Sequence, residues 1–282
     1  MEIINTAEAM QQHADRVRRE GKTIVFVPTM GFLHEGHLSL IREGKKHGDH
    51  IVLSIFVNPT QFAPGEDFEA YPRDFDQDVD AAGAEGVDVV FAPEKENLYA
   101  SGFETYVVLE KLPHHLCGLS RNSHFQGVAT IVAKLFNIVK PHAAVFGQKD
   151  YQQLAVIRRM TRDLNFDIQI IGAPIVREPD GLAMSSRNTY LKEEQRPSAL
   201  SLYQSLITAR DSVAEGETNV ARLIDHARET IDAFPETAVE YISICDADTL
   251  NDVETVSGIT LMALAVRVGS CRLIDNMMIR EG

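Results

Sequence analysis

The chain has 282 residues, 44% hydrophobic and 24% charged, which is the balance of a soluble globular protein long enough for one large domain and a smaller one. Its 27 Lys and Arg against 41 Asp and Glu leave a formal charge of −14, which argues against nucleic acid or an anionic membrane as a partner, since both ask for a basic face. No run approaches the ~20 apolar residues of a membrane span, the first residues lack a basic-then-apolar leader, and three scattered cysteines (Cys117, Cys245, Cys271) suit a reducing cytoplasm better than a disulfide framework or a zinc site.

Along the chain, Asn5 with Glu8 three residues later reads as a helix N-cap pair, Met10, Ala14 and Val17 share one face, and Gly21 ends the helix. Strand-like runs follow at Thr23–Val27, His50–Val57, Val87–Phe91, Ala143–Phe146 and Asp167–Val176. Helical stretches near His37–His47, Asp74–Ala84, Val128–Val139 and Gln152–Leu164 separate them. Apolar strands alternating with helices predict a Rossmann-like, doubly wound α/β domain over residues 1–176, with ligands outside the carboxyl ends of its strands. There is no G-x-G-x-x-G turn, so a dinucleotide fingerprint does not explain it. Beyond residue 176 the texture changes. Helices at Glu193–Ala214 and Asn219–Phe234 precede strands at Val239–Cys245, Thr260–Val268 and Cys271–Ile279, with Gly269-Ser270 as a hairpin turn. This predicts a small α+β domain over 177–282.

The candidate chemistry lies just after the strands. His34-Glu35-Gly36-His37 follows the first strong strand and precedes a helix, where imidazoles and helix amides together favour phosphate. Gly36 would let backbone approach a ligand closely. Asn58-Pro59-Thr60-Gln61 follows the next strand; Gln61 suits a hydroxyl-bearing carboxylate, or equally stabilises its own loop. Gly147-Gln148-Lys149-Asp150 follows the Ala143 strand. Its lysine offers a point charge, and its aspartate is a candidate cap for the next helix. Met184-Ser185-Ser186-Arg187 packs two hydroxyls and a guanidinium into three residues, a compact phosphate grip or a serine-rich turn. All four segments fall at one edge of the predicted sheet, so His34, His37, Lys149 and Arg187 would converge in an otherwise acidic protein.

His-x-Gly-His in this setting resembles the nucleotidyltransferase superfamily, and the motifs together resemble the pantothenate synthetase family. Pro-Thr-Met-Gly through His-x-Gly-His stands at 28–37, Ser-Ile-Phe-Val-Asn-Pro-x-Gln-Phe at 54–62, and Tyr-Pro-Arg at 71–73. His-Phe-x-Gly-Val stands at 124–128, Lys-Asp-Tyr-Gln-Gln-Leu at 149–154, and Asp-Gly-Leu-Ala-Met-Ser-Ser-Arg-Asn at 180–188. Two positions depart from the family pattern: Gln148, where a glutamate is usual, and Asn122, where proline commonly follows the arginine. The resemblance implies an ATP-dependent ligase that joins pantoate to β-alanine through a pantoyl adenylate and works as a cytoplasmic homodimer. It implies that His34, His37, Lys149, Ser185, Ser186 and Arg187 meet the phosphates, with His37 the conventional proton donor. Met30, Gly147 and Gln148 would lie at the nucleotide, Asp150 at its ribose, Val176 at adenine, and Met184 at the wall. Gln61 and Gln153 would grip pantoate with Asn58 nearby. Mg²⁺ would bridge phosphate oxygens, with Asp78 a candidate supporting acid in competition with Asp76 and Asp80, the alternative being a place on the helix surface. A transferase acting on a phosphorylated acceptor is the nearest rival, and the two glutamines count against it, because such an acceptor asks for more cations.

Overall fold

Strand β2 (Ile24–Thr29) explains the architecture, because it is apolar on both faces. Ile24 and Phe26 face one helical layer, while Val25 and Val27 face another. The first layer holds α1 (Ala7–Arg19), α5 (His124–Val139) and α6 (Tyr151–Asp163). The second holds α2 (Glu35–Gly44) and α3 (Phe75–Ala84). Between the layers lie β1 (Glu2–Ile4), β3 (His50–Ile55), β4 (Val89–Phe91), β5 (Ala143–Gly147) and β6 (Gln169–Ala173) beside β2, all parallel, in the order β1-β4-β3-β2-β5-β6. A parallel sheet needs cover on both faces, and this one has it. The chain runs outward from β2 through β3 to β4, then returns to the other side of β2 as β5. The carboxyl ends of β2 and β5 therefore bound the crevice where the strand order reverses. This computed structural model describes every residue except Pro64, Asp67, Asn122 and Gly282, so the departure at Asn122 lies outside the described residues.

The carboxyl-terminal third forms its own sheet. Strands β7 (Thr237–Asp246), β8 (Ile259–Val268) and β9 (Cys271–Glu281) are antiparallel in that order. Helices α7 (Arg196–Ala214) and α8 (Val220–Asp232) cover one face, where Leu202, Leu206 and Ile231 meet Ile244, Met262 and Leu264. On the other face Cys245, Leu261 and Ala263 join the core of the large sheet, so the small sheet packs against it with apolar surface. Val268 pairs with Cys271 across Gly269-Ser270, and Gly269 takes φ +57°, which makes this the two-residue hairpin that the sequence suggested.

Several boundaries differ from expectation. Thr6, not Asn5, caps α1, its hydroxyl accepting from Ala9 N at 3.3 Å. Helix α2 begins at Glu35, two residues before His37, because His34 is its N-cap. Helix α5 begins at His124 rather than at Val128. Strand β1 and the one-turn helix α4 (Lys95–Leu98) are too short to carry a periodic signal.

Candidate active site

The turn from β2 into α2 is a capping box built from two histidines. His34 has extended backbone, and its Nδ1 accepts from Gly36 N at 3.1 Å. His37 Nδ1 accepts in return from His34 N at 3.3 Å. A nitrogen that accepts carries no proton, so both rings hold their hydrogen on Nε2. The rings lie 4.1 Å apart, centroid to centroid. Burial, followed by the charge of Lys149, pushes His34 down to about 4, and burial, followed by His34, pushes His37 down to about 3. At neutral pH the pair is two uncharged N–H donors side by side. A Cβ on Gly36 would sit 2.9 Å from His34 Cε1, so this glycine makes room for the imidazole itself.

The residues before this turn are held from α3. Gly31 and Phe32 both adopt left-handed backbone, φ +82° and +52°. Asp78, only 2% exposed, accepts from Phe32 N at 2.8 Å and from Leu33 N at 2.6 Å. Burial raises its carboxyl above the ordinary range despite these two bonds. Asp78 does not line the cavity, and its oxygens are occupied by backbone amides. The expectation of a metal-supporting acid is corrected accordingly: this carboxylate clamps the loop.

A cavity of about 240 Å³ opens at the crevice between β2 and β5. Met30, His34 and His37 line it from one side, and Gly147, Lys149 and Asp150 from the turn after β5. Val176, Met184, Ser185, Ser186 and Arg187 also line it, as do Asn58, Gln61 and Gln153. The turn after β5 is pinned from the small sheet, where Asn276 Nδ2 donates to Gln148 O at 3.0 Å and to Lys149 O at 2.8 Å. Asp150 makes no side-chain cap to α6, contrary to the capping expectation, and its carboxylate borders the cavity. Gln148 does not line the cavity; its Nε2 donates to Gly172 O at 3.4 Å. The serine segment is a 3₁₀ turn, with Ser185 Oγ accepting from Arg187 N at 3.3 Å. Asn188 anchors it by donating to Glu178 Oε1 at 2.7 Å and Ala183 O at 3.1 Å. Met184 N donates to Val176 O at 2.9 Å, which ties the two wall residues together.

Two residues of this site escaped the sequence reading. His124 Nδ1 donates to the backbone carbonyl of Gln61 at 2.8 Å, which leaves Nε2 to accept from Arg121 Nη1 at 3.3 Å. Burial, aided by Arg121, pushes His124 down to about 4, so it too is neutral. Arg121 pairs bidentately with Glu66, both bonds at 2.7 Å. The His-Phe-x-Gly-Val motif at the start of α5 was the available signal for His124.

Two neutral imidazole donors, a lysine and an arginine-bearing turn at the switch point of a doubly wound sheet define a polyanion site of the phosphate class. Comparison with known proteins narrows that class. The family model described as Pantoate-beta-alanine ligase matches residues 2–278. The pantothenate synthetase of Desulfatibacillum aliphaticivorans is 60% identical, with 99% of each chain covered. Among solved structures, the pantothenate synthetase of Thermus thermophilus superposes with a TM-score of 0.94 at 42% identity over 99% of each chain. The pantoate–β-alanine ligase of Francisella tularensis, solved with βγ ATP and β-alanine, gives 0.81 at 31% identity over 100% of this chain and 99% of that one. The chain belongs to the pantoate–β-alanine ligase family.

Proposed function

We propose that the cavity condenses pantoate with β-alanine in two steps driven by ATP. The observation that carries this reading is what shares one cavity lining: the phosphate-type donors His34, His37, Lys149 and Ser185–Arg187 together with the uncharged amides of Gln61 and Gln153. In the first step a pantoate carboxylate oxygen attacks the α-phosphorus, the bond from that phosphorus to the β-phosphate oxygen breaks, and pyrophosphate leaves. Charge grows on the leaving oxygens, where Lys149, Arg187, Ser185 and Ser186 oppose it. The His34 and His37 Nε2–H groups donate to the same phosphates. In the second step the β-alanine amine attacks the acyl carbon, the acyl–oxygen bond breaks, AMP departs and the amine loses a proton. Between the steps the mixed anhydride has to be kept from water.

Met30 and Gly147 lend backbone to the nucleotide, Val176 faces adenine, and Asp150 holds the ribose. Among the described residues no group of three His, Cys, Asp or Glu side chains could hold a metal, and Asp150 is the one carboxylate lining the cavity. That donor set would suit an Mg²⁺ brought in with ATP, with Asp150 the protein carboxylate that would help to hold it. When bound, it neutralises phosphate charge. No helix among the described residues is long and apolar enough to cross a membrane. The three buried free thiols suit the cytoplasm. We further assign a homodimer, as the family resemblance implies, and a division into units 1–176 and 177–282.

The test is product analysis. With ATP, Mg²⁺ and pantoate alone, pyrophosphate appears without pantothenate; adding β-alanine yields pantothenate and AMP in equal amounts. ADP and phosphate as stoichiometric products would refute attack at the α-phosphorus.

A further inference from the structure

Asn58 is 1% exposed, and every polar atom of its side chain is engaged by protein. Its Nδ2 donates to Gly127 O at 3.2 Å and to Gln61 Oε1 at 3.2 Å. Its Oδ1 accepts from Thr60 N at 3.4 Å, Thr60 Oγ1 at 2.9 Å and Tyr99 Oη at 2.9 Å. A backbone carbonyl only accepts and a backbone N–H only donates, so Gly127 and Thr60 determine which end of the Asn58 amide is oxygen. Nδ2 must then face Gln61, and Gln61 must answer with its own oxygen. The Gln61 nitrogen is left turned toward Met30 Sδ, 3.0 Å away on the cavity lining. Thioether sulfur is a weak acceptor, so a ligand oxygen displaces it readily.

We infer that Tyr99 and Asn58 are positioning residues that lock the Gln61 amide with its N–H toward the substrate, so that pantoate is read there through an accepting oxygen. This rests on the assignment of Gln61 as a pantoate contact. Tyr99 does not line the cavity; it stands at the end of α4, 41 residues away from Asn58 in the chain. Its ring is held by Phe103 at 5.0 Å, by Phe56 at 6.5 Å and by Lys134 Nζ, 5.7 Å from its centroid. Burial keeps its hydroxyl protonated and therefore a donor. The consequence is selectivity. A substrate presenting an amide or ammonium N–H at this point would meet another N–H with nothing to accept it, a mismatch that polar sites punish more heavily than a lost methylene.

The experiment measures KM for pantoate and for ATP in Tyr99→Phe, Gln61→Ala and Gln61→Glu. Tyr99→Phe keeps the ring and should raise the pantoate KM roughly three- to tenfold, the range of one buried hydrogen bond, with the ATP KM unchanged. Thr60→Val, which removes the other hydroxyl on Asn58 Oδ1, should reproduce that selective defect and serves if Tyr99→Phe folds poorly. Gln61→Glu is isosteric but only accepts, so it should weaken pantoate more than Gln61→Ala does. Equal rises in both KM values for Tyr99→Phe would mean a general structural role and overturn the relay. A silent Tyr99→Phe beside a defective Gln61→Ala overturns the relay alone. A Gln61→Glu protein that uses pantoate as well as the parent overturns the polarity. A silent Gln61→Ala removes the contact itself and the relay with it.

Discussion

Removing the Asp78 carboxylate tests how the histidine turn is held. Asp78→Ala leaves Phe32 N and Leu33 N without their acceptors in a region with little access to water. An orphaned buried amide costs about 1–3 kcal/mol, so two cost about 2–6 kcal/mol. Against this, the carboxylate carries a desolvation penalty of its own, visible in its raised pKa, and alanine relieves it. The net loss should fall near the lower end, about 2–3 kcal/mol. Asp78→Asn keeps the volume and one acceptor but turns an NH₂ toward the second amide, so about 1–2 kcal/mol should go. Urea unfolding at pH 7.5 reads these values directly, with an unchanged m-value showing that the denatured state is not the cause. The same variants should release pyrophosphate slowly, because the clamped residues lie between Met30 and His34. If both variants unfold at the parental midpoint and release pyrophosphate at the parental rate, the left-handed Gly31–Phe32 turn is held by something other than Asp78.

Lys149→Ala should impair adenylate formation by about 30- to 1000-fold, roughly 2–4 kcal/mol of transition-state stabilisation, and impair amide formation from supplied pantoyl adenylate much less, since pyrophosphate has already left; equal defects in the two half-reactions would refute that role. Gly36→Ala should push the His34 ring off its cap, cost about 1 kcal/mol in stability and slow adenylation about tenfold or more; parental stability and rate would show that the ring has room. His34, His37 and His124 have folded values depressed to about 4, 3 and 4 from 6.5, so their contribution to stability is complete above pH 6.5 and is lost as pH falls through 4. Urea midpoints measured from pH 7.5 down to 4.5 should therefore decline, and a flat profile would refute buried neutral imidazoles. ATP titrations at pH 7.5 in buffers of differing ionisation enthalpy should show no proton taken up by the protein, because protonating either Nδ1 would break the capping box; uptake near one proton would mean that a histidine charges on binding.

What could be read without the structure was whatever repeats locally. Strands with apolar residues on both faces and helices at 3.6-residue spacing predicted the doubly wound sheet, and the sheet predicted which loops share an edge. The motif residues came together because that topology places the ends of β2, β3 and β5 side by side. What stayed hidden depends on contacts between residues distant in the chain. Asp76, Asp78 and Asp80 look alike on a helix surface, and only the passage of Phe32 and Leu33 over α3 singles out Asp78, 46 and 45 residues away. His124 lies in the His-Phe-x-Gly-Val motif, yet its role lies in a bond to a carbonyl 63 residues earlier. Asn58 carried the right residue type for a ligand contact, but its amide is saturated by Gly127, Thr60 and Tyr99. The same logic separates Gln148, in the turn after β5, from Gln153, on α6. Gln153 lines the cavity, whereas Gln148 faces β6, so the residue that departs from the family pattern lies outside the cavity lining. The Gln148 amide supplies a donor to the Gly172 carbonyl, and the Arg158 guanidinium lies beside the same glycine. The Gln148 side chain thus acts on the anchoring of the turn to β6.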